Sequence, residues 1–349
     1  MKNLYILIAV LVFGVLILIH ELGHYIFARI FKVKIYEFSL GMGPTLISRT
    51  SKKTGIKYSV SLFPIGGYVS MAGEDENTDE PNALNRKPVW QRMIITVAGA
   101  FMNFLLGVVI MFFVVSNSVI GTTVVAGFIP IEETNLSVSS EGYLQKGDKI
   151  ISVNGFRVHT SAELDYEILH SGGGQIDMTV IRNGEETNIK AEIPSVVQNG
   201  VSYGTRDFIV YREGNRSLGT LIKHTWFRST STVKMIWESL IDLISGKYGI
   251  EAMSGPVGVA GAITDAASSG AGALNVAYIA AVISMNLGVF NLLPFPALDG
   301  GRLVFLAIEG IRRKPVPVKV EGYINGVGLL LLFGLMIIVT FKDIFTIFF

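Results

Sequence analysis

The chain contains no cysteine. That excludes disulfides, thiolate metal ligands and cysteine nucleophiles, and leaves His, Asp and Glu as the side chains for any zinc site. Charge is scarce too: Asp, Glu, Lys and Arg make up 16% of the 349 residues, where about a quarter is usual for a soluble domain. A formal net charge of +1 gives no electrostatic footprint for nucleic acid, and none is expected as a partner. The N-terminal apolar run lacks an A-x-A-like cleavage site and is too long for a signal-peptide core, so it reads as a retained transmembrane helix. What the chain has in quantity is apolar surface. Half of its residues are hydrophobic and its mean hydropathy is +0.49, which points to an integral membrane protein rather than a soluble enzyme.

Four segments are long and apolar enough to span a bilayer: residues 3–31, about 91–116, 273–298 and 324–348. The third is interrupted by Pro294 and Pro296, so its last turns are expected to be unwound, which membranes tolerate only where the backbone is buried in protein or lines a cavity. Seven basic residues and one acid lie between Arg29 and Lys57, and five basic residues against Glu309 lie between Arg302 and Lys319. The stretch 122–218 instead carries eight basic and thirteen acidic residues. By the positive-inside rule the loops after the first and third spans face the cytosol and both termini face outside.

Inside the first apolar run stands His20-Glu21-Leu22-Gly23-His24. Two imidazoles and a carboxylate are costly within hydrocarbon, so an ionisable cluster there is read as functional. On a helix His20 and His24 lie one above the other on one face, where they can grip a single metal ion. Glu21 projects from an adjacent face, where it can exchange a proton with the hydrolytic water. A catalytic zinc needs a third protein ligand. The candidate is Asp299, which the charge-derived topology puts level with the two histidines at the cytosolic end of the third span.

Residues 56–71 alternate β-branched or aromatic residues with serine around a Pro-x-Gly-Gly turn, which reads as a short hairpin. Its low charge suggests that it re-enters the membrane beside the active site; a surface hairpin is the alternative. From 122 to 194 the pattern changes to strands at 122–129, 149–153, 175–182 and 187–193, with a turn at Asn183-Gly184 and a short helix at 161–170. That is a small β-rich domain. Residues 218–244 show apolar residues at helical spacing, as expected of an amphipathic helix lying on the membrane surface or packed on the β-rich domain. His159, His170 and His224 stand alone and read as structural or solvated, and Met253 and Met285 as packing.

Taken together, the chain resembles the site-2 protease family of intramembrane zinc metalloproteases, in its bacterial regulator-of-sigma-E-protease branch with a single extracytoplasmic PDZ domain. The resemblance rests on H-E-L-G-H at 20–24, G-M-G-P at 41–44, Gly66-Gly67, Gly99-x-x-x-Asn103, G-D-K-I-I-S-V-N-G at 147–155, S-G-P-V-G at 254–258 and N-x-x-P-x-P-x-L-D-G at 291–300. It implies a polytopic α-helical membrane protein of four transmembrane helices with a membrane-associated β-hairpin and an extracytoplasmic, β-rich PDZ domain. The implied organisation is a first transmembrane helix at 1–31, a cytosolic loop at 32–90 with the re-entrant hairpin, and a second helix at 91–117. The PDZ domain follows at 122–200, then the surface helix at 218–245 and the last two transmembrane helices at 273–299 and 324–348.

The resemblance further implies that His20, His24 and Asp299 bind one zinc ion per chain and that Glu21 is the general base. The hairpin, with Gly66, Gly67 and Tyr68, would pair with the substrate, while Asn291, Pro294 and Pro296 help to position it. Asn103 or Asn291 could assist at the oxyanion, although Asn103 could equally be helix packing. The substrates implied are membrane-anchored proteins such as anti-sigma factors or signal-peptide remnants, in a multi-pass protein of the bacterial cytoplasmic membrane. The chain departs from the family where Ser-Ser-Glu-Gly-Tyr stands at 139–143 and where no carboxylate loop of the Gly-Leu-Gly-Phe kind is found. The PDZ domain therefore reads either as a peptide- or protein-contact module or as a size filter. A catalytically inactive scaffold that binds through the PDZ domain is the rival function.

Overall fold

The computed structural model describes residues 2–74, 78–129, 140–198, 201–246 and 253–348. Its helices are α1 (Lys2–Ile30), α2 (Val89–Asn117), α3 (Ser161–His170), α4 (Leu218–Ile244), α5 (Pro256–Ser268), α6 (Gly272–Asn291), α7 (Asp299–Arg312) and α8 (Val318–Phe348). Four of them hold stretches long and apolar enough to cross a membrane: Leu7–Ile30, Val89–Asn117, Gly272–Asn291 and Val318–Thr346. The third span ends earlier than the hydropathy pattern extends. Pro294 and Pro296 cannot continue a helix, so α6 stops at Asn291 and Asp299 opens a separate helix, α7, instead of closing a span at 299.

The chain divides into two compact units, Met1–Ile110 with Gly249–Phe349, and Met111–Tyr248. In the first, α1 and α2 cross closely at Gly23: a Cβ there would lie 2.3 Å from the carbonyl oxygen of Ala98. Two long strands, β1 (Ile35–Thr50) and β2 (Lys57–Met71), follow α1. Each bends back on itself. Glu37 stands opposite both Ser70 and Lys57, Leu40 opposite both Gly67 and Val60, and Ser48 opposite Ser59. Residues 37–40 are thus flanked on both sides, and the run 67–71 forms an outer edge. The turns sit at Gly41, Gly43 and Gly66, all at positive φ, which glycine alone adopts without strain. The two arms of the expected 56–71 hairpin therefore do not pair with each other. Both pair with β1, which the sequence reading left out.

The helix α5 explains the S-G-P-V-G motif. The backbone N–H groups of Gly255 and Gly258 donate to Asp343 Oδ2 at 2.9 and 2.8 Å, satisfying donors that a helix start leaves open. Added Cβ atoms at either glycine would lie 3.0 Å from that same oxygen.

The second unit is built on an antiparallel sheet in the order β10-β3-β4-β6-β7, from β3 (Gly121–Phe128), β4 (Lys149–Val153), β6 (Gly174–Arg182), β7 (Glu185–Ile193) and β10 (Phe208–Arg212). The two-residue strand β5 (Phe156–Arg157) pairs with β4, and β8 (Ser195–Gln198) pairs with β9 (Val201–Gly204). Because β10 covers the free edge of β3, the domain extends past the expected boundary at 200. Its core holds Val125, Leu144, Ile150, Leu164, Ile168, Met178 and Phe208, all nearly inaccessible. The helix α3 is started by Thr160, which accepts from the Glu163 N–H, while the Glu163 carboxylate returns to the His159 N–H, a reciprocal cap. Arg182 forks onto the buried Asp148 at 2.9 and 2.7 Å. Burial alone would raise the Asp148 carboxyl, but this fork and the Gln145 N–H hold it below the usual carboxylate range.

The helix α4 turns its polar side inward. His224, Thr225, Ser229 and Thr232 are buried with Ile236, Lys234 pairs with Glu167 and Tyr166 donates to Glu238. Leu218, Ile222, Trp226, Trp237, Ile241 and Ile244 form an exposed apolar stripe.

Candidate active site

The helical repeat of α1 stacks His20 over His24, and the first residue of α7 brings a carboxylate against both. His20 Nε2 and His24 Nε2 are 3.3 Å apart; Asp299 Oδ2 lies 3.3 Å from the first and 3.5 Å from the second. Tetrahedral zinc with bonds of about 2.0–2.1 Å requires its ligand atoms to stand about 3.3–3.4 Å from one another. The triangle formed by these three atoms has edges of 3.3, 3.3 and 3.5 Å, which a shift of about one or two tenths of an ångström brings to that geometry. Asp299 Oδ2 is also buried without a hydrogen-bond donor, as suits an atom meant for a cation. Among the described residues this is the group of three metal-capable side chains that converge.

The ring nitrogens facing away from the triangle are held from behind. His24 Nδ1 donates to the carbonyl oxygen of Ile95 at 2.8 Å, which leaves its Nε2 lone pair free for a metal. Asn103 Nδ2 stands 3.3 Å from His20 Nδ1, while Oδ1 of the same amide is buried without a partner; turning the amide over exchanges the two atoms. As acceptor of an Nδ1–H, that oxygen would fix His20 in the same way. Room for both rings comes from Gly99, where a Cβ would lie 2.4 Å from His24 Nε2 and 2.8 Å from His20 Nε2.

A cavity of about 520 Å³ opens over this triangle, lined by His20, Glu21, His24 and Asp299 on one side and by Gly67, Tyr68, Val69, Ser70 and Met71 on the other. The outer edge of the sheet is thus one wall of the site. Gly67 lets its backbone touch Glu21: a Cβ at Gly67 would lie 3.0 Å from Glu21 Cγ.

The structure therefore brings together His20, Glu21, His24, Asp299, Gly67 and Tyr68, with Asn103 behind His20. Gly66 lies one residue outside the lining. Asn291 ends α6, and Pro294 and Pro296 form the link to Asp299 without lining this cavity. Pro294 instead borders an apolar groove of about 700 Å³ with Val97, Ala98, Phe101 and Leu303. Sequence reasoning missed the Ile95 carbonyl, which has no side-chain signal. It also missed Glu74 and Arg302 in the same cavity; the three-residue spacing of Arg302 from Asp299 was the one available clue.

Comparison with known proteins identifies the family. The model of peptidase family M50 matches residues 8–335. The chain belongs to family M50, the site-2 proteases. A Clostridium perfringens relative is 33% identical over 98% of either chain. Zinc metalloprotease RasP of Shouchella clausii is 31% identical over 95% of this chain and 97% of its own length. Regulator of sigma-W protease RasP of Bacillus subtilis is 28% identical over 96% and 97%. This M50 member is a zinc metalloendopeptidase of the intramembrane kind.

Proposed function

We propose that His20, His24 and Asp299 hold one zinc ion per chain and that Glu21 moves the protons as a peptide bond within or beside a substrate's transmembrane helix is hydrolysed. The observation that carries this is the spacing of the three ligand atoms, 3.3, 3.3 and 3.5 Å. Zinc supplies Lewis acidity that makes water nucleophilic near neutral pH. Glu21 accepts the proton of the attacking water at its carboxylate and passes it to the leaving amine. Asn103 acts behind His20 as an orienting residue in preference to an oxyanion donor, because its side chain faces His20 Nδ1.

The substrate lies against the outer edge of the sheet at residues 67–71. A helical scissile bond is shielded by its own hydrogen bonds, so the substrate must unwind. A strand edge then satisfies the freed backbone groups. The sheet re-enters the membrane from the cytosolic side. The β-rich unit is an extracytoplasmic PDZ domain serving as a peptide contact or size filter, and the apolar stripe of α4 lies on the outer membrane surface. The unequal distribution of basic residues supports this orientation, with both termini outside the cytoplasmic membrane. Substrates are single-pass proteins already trimmed outside, such as anti-sigma factors or signal-peptide remnants; the name of the B. subtilis relative, a regulator of sigma-W protease, supports a regulatory target.

The test is cleavage of a panel of membrane-anchored segments by purified protein, with zinc measured in parallel. Glu21→Gln is expected to keep its zinc and lose turnover by at least about a thousandfold, and Asp299→Asn to lose zinc. Equal turnover by wild type and Glu21→Gln would sink the mechanism.

A further inference from the structure

We infer that Glu74 and Arg302 form a clamp that sets where the substrate strand lies along the catalytic centre, making both of them positioning residues for cleavage-site choice. The inference rests on the reading that substrate pairs with the outer edge of the sheet. Glu74 stands three residues beyond Met71, the last residue of β2, and its Oε2 accepts the Met71 backbone N–H at 3.3 Å. The Arg302 guanidinium donates to Glu74 Oε1 at 2.5 Å and to the Glu74 carbonyl oxygen at 3.0 Å. Arg302 is three residues after Asp299 on α7, about one turn along the same face. One rigid helix thus carries, a turn apart, a metal-facing carboxylate and the cation that holds the end of the edge strand.

The Arg302 and Glu74 side chains are 28% and 19% exposed, and both line the cavity that contains His20, Glu21 and His24. A bidentate Arg contact is directional as well as attractive. The clamp therefore fixes the strand's position along its own axis, the coordinate that decides which peptide bond of a paired substrate meets Glu21. A paired strand slips most readily by two residues, because a slip of one turns every side chain to the opposite face.

The experiment compares wild type, Glu74→Gln and Arg302→Lys on one membrane-anchored substrate, reading zinc per chain, KM, kcat and the cleaved bonds by mass spectrometry. A proline scan across Tyr68, Val69 and Ser70 runs alongside. Both clamp variants are expected to keep their zinc, to lose about tenfold in kcat/KM mainly through KM, and to yield a second product displaced by two residues. A single product at the wild-type bond with unchanged KM overturns the clamp. So does loss of zinc in step with activity, since the pair would then act through the metal ligand. If the proline variants cut normally, the edge-pairing reading itself is lost. If they are impaired while the clamp variants behave as wild type, the clamp alone fails.

Discussion

Asp148 in one unit of the chain and Asp299 in the other show two opposite ways of treating a carboxylate. In the β-rich unit Asp148 receives the Arg182 fork and the Gln145 N–H, and Asp207 receives both the N–H and the hydroxyl of Ser140. Around Asp299 in the helical unit the side chains converge and stop short. Asp299 Oδ2 and Asn103 Oδ1 are buried without a donor, and the two imidazoles turn their Nε2 atoms toward one another. A closed polar network holds a fold together, whereas an open one marks where something else binds. The difference separates a carboxylate that is satisfied as folded from a centre left open for the proposed metal.

If that contrast is right, damage to the open network must change metal and turnover, and damage to the closed one must change stability. The largest effect is expected from Gly99→Ala. Its methyl would occupy the space of His24 Nε2, so zinc content and cleavage should both fall to background. Next is Arg182→Leu, which leaves Asp148 buried without its cation. The β-rich unit should lose about 3 kcal/mol, read by hydrogen exchange on the full chain, while zinc content stays at the wild-type value. Asn103→Ala is expected to weaken zinc binding about 10- to 100-fold, measured by competition with a chelator, and to leave exchange in the β-rich unit unaltered. Thr160→Ala should cost about 1 kcal/mol through the lost cap of α3, seen as faster exchange in that helix alone.

Acid gives a further separation. The Asp148 carboxyl is held below the usual range in the folded unit. Its contribution is therefore complete above about pH 4 and disappears as pH falls through the lower folded value. Exchange in β4 and β6 should quicken over that window in wild type, and Arg182→Leu should show a smaller change.

What could be read from the sequence follows the same division between local and distant. The stacking of His20 and His24 is an i, i+4 relation, and Asp299, expected beside them, lies 3.3 and 3.5 Å from their Nε2 atoms. Asn183-Gly184 marked its turn because both residues adopt positive φ. Other features depend on partners far along the chain and leave no periodic trace. The edge of β3 is covered by β10, whose residues lie 80 or more positions later than their partners. The Asp343 carboxylate caps α5 from 85 and 88 residues away, and the doubled pairing of β1 with β2 replaces a hairpin that looked complete in itself. Glycine was the most informative residue type that the sequence alone could not interpret: Gly99, Gly67 and Gly23 are small because of what approaches them.

For inhibitor chemistry, the wall of the cavity formed by residues 67–71 has a practical meaning. It is an edge of main chain, in one cavity with the His20, His24 and Asp299 triangle of nitrogen and carboxylate oxygen. A compound shaped to that volume would be an extended peptidomimetic with alternating amide donors and acceptors and a zinc-binding warhead part-way along. A helix mimetic would present no free amides to that edge. Such a scaffold could owe its affinity to the backbone and leave its side chains free for tuning uptake and solubility.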